Sequence, residues 1–356
     1  MKTIKIFMIH PWVQNVHKML SFLKLECLSQ KYNFEWHPNS PDYLIVSEHI
    51  YTNEKYNRLF KNIIKRKRIV TIFYAGEAIT PDFNIFDYAI SFDSDLSNAD
   101  RHTLLPPPFI MFSGFVKETE NRICNLTEAK DLLHHKTKFC NFLYSNWNSH
   151  PNRDKLFYLI SKYKKVDSLG KHLNNMDNKP TGWIGHAQDC VSLKWSYKFS
   201  IACENAIFNG YTSEKILTSL EAHTIPIYWG NPKISLDINS KAFINCFEYD
   251  SFEQVLDKIK EIDRNDELWC EMILQPWQTL GQQKSSLERM NRYYIFFDNI
   301  FSQDLEAAIR TPQGTYPQFY KDFFSKSTVH NRRVHTVAIQ KIKKFLKNYS
   351  HYRNNK

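Results

Sequence analysis

Short apolar runs bounded by polar turns recur along the chain and alternate with longer amphipathic stretches. A chain that repeats strand, helix and strand in this way buries its apolar faces as parallel sheets covered by helices, so the pattern selects an α/β fold. The first half places strands at 3–9 (TIKIFMI), 42–47 (DYLIVS), 69–74 (IVTIFY) and 87–92 (DYAISF). LLPPPF at 104–109 cannot lie inside a sheet, because its prolines remove three backbone donors. After a polar connector at 115–137 the pattern restarts, with strands at 138–144, 197–203, 224–229 and 243–247 and helices at 152–164, 213–222 and 251–263. Two such series predict two Rossmann-like domains across a cleft, 1–130 and 137–300, followed by a helical, basic segment at 301–356. Ligands of such sheets bind beyond the carboxyl ends of the strands, where loops pass into helices.

The formal charge of +10 suggests nucleic acid, an anionic membrane or a phosphorylated ligand until its distribution is known. Residues 321–356 hold ten Lys and Arg against Asp322 alone, so the rest of the chain carries only +1. That near-neutral body argues against nucleic acid as a partner; a basic nucleic-acid-binding protein stays as the alternative from another class. Within the basic segment, VHTVAIQKIKKFLKNY (334–349) spaces Val334, Ala338, Ile342, Phe345, Leu346 and Tyr349 along one helical face, with lysines between them. It predicts an amphipathic helix lying on an anionic membrane surface. Seven scattered cysteines without a C-x-x-C pair point to reduced thiols. The apolar start MKTIKIFMIHPW is too short for a signal peptide, and no run approaches the roughly 18–20 apolar residues that span a bilayer. The expectation is a cytoplasmic protein, peripherally held at the inner face of the cytoplasmic membrane.

CENAIFNGYTSEKI at 203–216 gathers Gly210, Tyr211, Thr212, Ser213, Glu214 and Lys215 just before an apolar helical pattern of Ile216, Leu217 and Leu220. Thr212 or Ser213 is the expected cap, and the first-turn amides with Lys215 would favour a phosphate there. Glu214 suits sugar hydroxyls better than phosphate. A nucleotide-sugar presents both groups. The alternative is an ordinary capped helix with an exposed Glu-Lys pair.

The order YKFSIACEN, GYTSEKILTSLEAHTIPIYWGNP, then FINCFEYDSFEQVLDKI, resembles the α-1,3-fucosyltransferases of glycosyltransferase family 10, whose signature reads approximately F-x-F-E-N-S, Y-x-T-E-K and V/I-P-I-x-x-G. FYAGEAITPDFNIFDYAISFD at 73–93 and NRDKLFYLISKYKKVDSLGK at 152–171 extend the likeness over about 69–300. Cys203, Ala206, Ser213 and Ala78 depart from the usual residues, and the animal-type C-x-x-C pairs are absent, so the resemblance is to the bacterial branch. It implies a GT-B fold and inverting transfer of fucose from GDP-fucose to an N-acetylglucosamine of a lactosamine-type oligosaccharide, as in lipopolysaccharide synthesis. A related nucleotide deoxy-sugar is the alternative donor, and a lectin-like protein without turnover a further alternative. Glu77, in the loop after strand 69–74, is the expected base. Arg153, Tyr211, Glu214 and Lys215 would hold the donor, with Glu204 and Asn205 as weaker choices. No cofactor is required on this reading, and a divalent cation enters only as a stimulator. The triplet DSD at Asp93–Asp95 leaves metal-assisted diphosphate binding as a competing motif.

Overall fold

The computed structural model describes residues 1–66, 68–96, 99–113, 123–177, 187–312, 314–318, 320 and 321. The amphipathic segment expected at 334–349 lies outside the described residues. Two parallel sheets organise the chain. The first is built from β1 (Lys2–Ile9), β2 (Tyr32–Trp36), β3 (Tyr43–Ser47), β4 (Val70–Ala75), β5 (Tyr88–Ser91) and β6 (His102–Leu104), in the order β2-β1-β3-β4-β5-β6. The second contains β7 (Lys138–Phe142), β8 (Val166–Ser168), β9 (Tyr197–Cys203), β10 (Ile225–Trp229) and β11 (Ile244–Asn245), in the order β11-β10-β9-β7-β8. This is the α/β architecture with two Rossmann-like sheets that the strand pattern predicts. β2, β6 and β8 escape that pattern because each is short and only partly buried.

The principal helices are α1 (Val16–Phe22), α2 (Glu54–Arg66), α3 (Leu126–His135), α4 (Asn152–Ser161), α5 (Ala187–Lys194), α6 (Glu214–Glu221), α7 (Phe252–Asp263), α8 (Asp266–Ile273) and α9 (Leu280–Ser302). β3, β4 and β5 are buried along their whole length, as strands covered on both faces must be. One face of the first sheet packs Leu44, Val46 and Phe73 against Phe60 and Ile63 of α2. In the second half, Phe142, Phe199 and Ile227 meet Leu156 of α4, Ile259 of α7 and Trp269 of α8.

The other face of the first sheet is closed by α9, a helix absent from the sequence reading. Thr279 and Gln282 form a capping box at its start. Its apolar side chains crowd into the far end, where Met290, Tyr293, Phe296, Phe297, Ile300 and Phe301 join Ile4, Ile6, Ile72 and Ile90 in one core. Residue 300 thus lies inside a helix that serves the first sheet, although it follows the second in sequence. Arg289 on the same helix donates to the Leu105 carbonyl at 2.9 Å and to Asp237 Oδ1 at 3.3 Å, so it touches both halves.

At the amino ends of β4 and β5, the buried Asp87 carboxylate gathers four donors. Oδ2 accepts from the Thr71 amide at 2.7 Å and the Thr71 hydroxyl at 2.8 Å. Oδ1 accepts from the amides of Arg310 at 2.8 Å and Thr311 at 2.6 Å, which ties the chain beyond α9 to the sheet.

Candidate active site

Strand order reverses between β1 and β3 in the first sheet and between β7 and β9 in the second. The candidate site is built on the loops at the carboxyl ends of these sheets, where α/β folds open a crevice. In the second sheet, β9 delivers Glu204, which is fully buried. Its Oε1 accepts from the Ser213 amide at 2.8 Å, while Oε2 accepts from the Ser213 hydroxyl at 2.7 Å and the Lys215 ammonium at 3.2 Å. Ser213 occupies the N-cap position of α6, yet its side chain makes no capping bond to the helix. The hydroxyl expected to cap α6 is instead spent on Glu204. A carboxylate complements the partial positive charge of a helix start better than a hydroxyl does. Gly230 makes room for it, since a Cβ there would lie 2.4 Å from Glu204 Cγ.

Burial raises the Glu204 pKa, against the opposing pull of Lys215 and the Ser213 amide. Burial works to lower that of Lys215, but Glu204 and Glu214 hold it well above its ordinary value. Lys215 is therefore a permanent cation at the start of α6, with 18% of its side chain exposed, and Glu214 beside it is 43% exposed.

Arg153, on the first turn of α4, is enclosed by protein. Its side chain is 0% exposed and its guanidinium lies 4.3 Å over the Tyr144 ring. Nη2 donates to the Asn146 carbonyl at 2.5 Å and Nη1 to Asn205 Oδ1 at 3.4 Å. Nε is buried and makes no hydrogen bond among the described residues. The Asn146 carbonyl and Asn205 thus serve as its acceptors.

In the first sheet, β4 leads through Gly76 to Glu77. Glu77 is exposed, and its Oε2 accepts a 2.8 Å hydrogen bond from the Tyr211 hydroxyl of the opposite half. Tyr211 is 2% exposed and packs edge-on against Phe92 at 5.1 Å. The loop that carries it docks closely on the first half: Gly210 has φ +92°, and a Cβ there would meet the Phe92 carbonyl oxygen at 2.0 Å. Ser94 donates its amide to the Asn209 carbonyl at 3.1 Å. Asp95 accepts from both Asn209 and Lys233, and Asp93 accepts from the Thr80 hydroxyl at 2.7 Å. The DSD triplet, weighed as a metal motif, is thus engaged in loop contacts, most of them between the halves.

Glu48, at the carboxyl end of β3, was missed, although the rule that pointed to Glu77 applies equally to it. It is 9% exposed and accepts the Gly76 amide at 3.1 Å. Burial pushes its pKa up to about 7, and the nearby Glu77 carboxylate adds to the rise. Hydrogen bonds thus join Glu204 to Ser213 and Lys215, Tyr211 to Glu77 across the two halves, and Arg153 to Asn205.

Two Rossmann-like sheets with their carboxyl-edge loops in contact define the class of GT-B glycosyltransferase folds. Residues 133–304 match the C-terminal part of glycosyltransferase family 10 (fucosyltransferase), and residues 11–112 match the N-terminal domain of the α-(1,3)-fucosyltransferase FucT. The chain belongs to this family, glycosyltransferase family 10. It is 31% identical over 267 residues to the "Putative fucosyltransferase R654" of Acanthamoeba polyphaga mimivirus, covering 72% of this chain and 42% of that protein. It is 26% identical over 308 residues to the α-(1,3)-fucosyltransferase FucT of Helicobacter pylori, covering 78% of this chain and 61% of that one. The chain therefore spans between two fifths and about three fifths of these relatives. A solved α1,3-fucosyltransferase with GDP superposes with a TM-score of 0.64 at 24% identity, covering 85% of this chain and 91% of that one, and shares the fold. Among the described residues no helix is long and apolar enough to cross a membrane.

Proposed function

We propose that the protein transfers fucose from GDP-fucose to a hydroxyl of N-acetylglucosamine in a lactosamine-type glycan, with inversion, forming an α-1,3 or α-1,4 linkage. Glu77 takes the proton of the attacking hydroxyl. The GDP leaving group settles at the start of α6, where Lys215 and the helix amides meet its charge and Glu214 accepts from sugar hydroxyls. Arg153, held by the Asn146 carbonyl and Asn205, adds its charge for the diphosphate. A divalent cation acts at most as a stimulator.

The Tyr211–Glu77 hydrogen bond is the observation that supports this reading best. Glu214 lies three positions after Tyr211, a reach of at most about 11 Å. The proposed base and the proposed phosphate cradle are therefore close enough to serve one sugar. A likeness to family members whose names carry FucT, and to a solved α1,3-fucosyltransferase with GDP-fucose, supports the donor.

The test is fucosyl transfer and GDP release with N-acetyllactosamine, using the parent and Glu77→Gln. General-base loss predicts a fall of about 10²–10⁴ in rate with GDP binding retained. A variant as fast as its parent, or a preference for UDP-sugars over GDP-fucose, overturns the assignment. Linkage analysis of the product over an acceptor panel, including lipopolysaccharide chains, identifies the acceptor. The segment 334–349 is proposed to hold the enzyme at the anionic inner face of the cytoplasmic membrane, a role checked by co-sedimentation with anionic vesicles at low salt.

A further inference from the structure

α5 ends on Lys194, a residue without a part in the site described above. It is 4% exposed, and its ammonium lies beneath the first turns of α6. It donates to the Lys215 carbonyl at 3.2 Å, Thr218 Oγ1 at 2.9 Å and Ser219 Oγ at 3.0 Å. All three acceptors are neutral. Neutral oxygens return only part of the hydration a buried ammonium gives up, so an anion added near α6 would stabilise this cation beyond what Glu214 does.

The charge balance at the start of α6 shows where that anion would sit. Glu204 and Glu214 outnumber Lys215, which alone would leave the helix start net negative and unsuited to a diphosphate. Lys194 restores the balance from below, before the buried Arg153 is counted. The titratable and charged groups facing it are Cys190 on its own helix and Glu214 and Lys215 on α6.

We propose that Lys194 is a positioning residue for the donor diphosphate, its buried charge acting through the first turn of α6 to draw the nucleotide without touching it. The inference rests on the donor site proposed above and deepens it. Burial lowers the Lys194 pKa to about 8, so the free protein begins to lose this charge just above neutrality. A bound anion favours the ammonium. Nucleotide binding should therefore take up a proton above pH 8 and weaken as pH rises from there toward the ordinary lysine value.

Calorimetric titration of the full chain with GDP at pH 8.5, in two buffers of different ionisation enthalpy, reads the uptake directly. The expected value is on the order of half a proton. Lys194→Met should bind GDP roughly tenfold more weakly at pH 7, and the parent-to-variant ratio should fall toward one by pH 10. Ionisations of the nucleotide itself are common to both proteins and cancel in that ratio. GDP binding without proton uptake, or an affinity ratio that is flat with pH, overturns the inference alone. Failure of the parent to bind GDP overturns the donor reading, and the inference with it. If Lys194→Met does not fold, proton uptake by the parent decides the matter.

Discussion

Replacing Asp87 by Asn removes one charge and changes almost nothing in shape, which makes it a clean probe of how the chain beyond α9 is fastened. The carboxylate receives two donors on each oxygen, all of them from the protein. An amide offers one oxygen and one NH₂. Turned so that NH₂ faces Arg310 and Thr311, it opposes two amides. Turned toward Thr71, it opposes only the Thr71 N–H, because the hydroxyl there can accept instead. The second orientation is the cheaper. It leaves one buried amide unpaired, about 1–3 kcal/mol, and replaces two charge-assisted bonds by weaker neutral ones, about 0.5–1 kcal/mol each. Asp87→Asn should therefore lose about 2–5 kcal/mol. Urea unfolding followed by far-ultraviolet circular dichroism would show a lowered midpoint with an unchanged slope. A midpoint equal to that of the parent would refute the claim that this carboxylate carries the junction.

Three further outcomes are expected. Gly210→Ala forces a side chain into a left-handed backbone and against the Phe92 carbonyl, a cost above about 1–2 kcal/mol from the backbone alone; steady-state kinetics should show at least a tenfold loss in kcat/KM. Tyr211→Phe keeps the ring against Phe92 but removes the bond to Glu77; as Glu77 is exposed to water, the loss should fall near the low end of charged hydrogen bonds, about tenfold in kcat/KM, with the fold intact by thermal melting. Lys136 is buried against the Ala222 carbonyl and the Trp195 ring, and burial lowers its pKa to about 7. Its native value lies below the unfolded one, so the unfolded chain binds more protons between about 7 and 10.5, and this group's contribution to stability grows as pH rises through that window. Melting temperatures of the parent should gain relative to Lys136→Met between pH 6.5 and 9.5, and a constant difference would contradict the sign.

The strand and helix pattern was legible where burial is complete. β3, β4 and β5 announce themselves by unbroken apolar runs, and α7 by its period and its Ser251 cap. β6 and β8 did not, since three residues carry no period that separates a strand from a loop. The site was partly readable because ligands of α/β sheets bind beyond the carboxyl ends of the strands, and Glu77, Glu204 and the Tyr211–Lys215 run all follow strands. What each side chain touches was not. Glu204 turns to the start of α6, and Arg153 donates to the Asn146 carbonyl, contacts of which the local sequence gives no sign. Lys194 carries no signal in the sequence, and its contacts with Thr218 and Ser219 come from the packing of α6 beside it.

The route of α9 sets a rule for anyone recombining this chain. A crossover placed in the polar connector looks natural, because it separates one sheet from the other, yet the graft would strip the first sheet of Met290, Tyr293, Phe296, Phe297, Ile300 and Phe301. Six large side chains, each worth about 1.5–3 kcal/mol when buried, would have to come from the foreign parent in matching register. An exchange between family members that keeps the first sheet's core intact therefore calls for transplanting the amino-terminal half together with the last long helix.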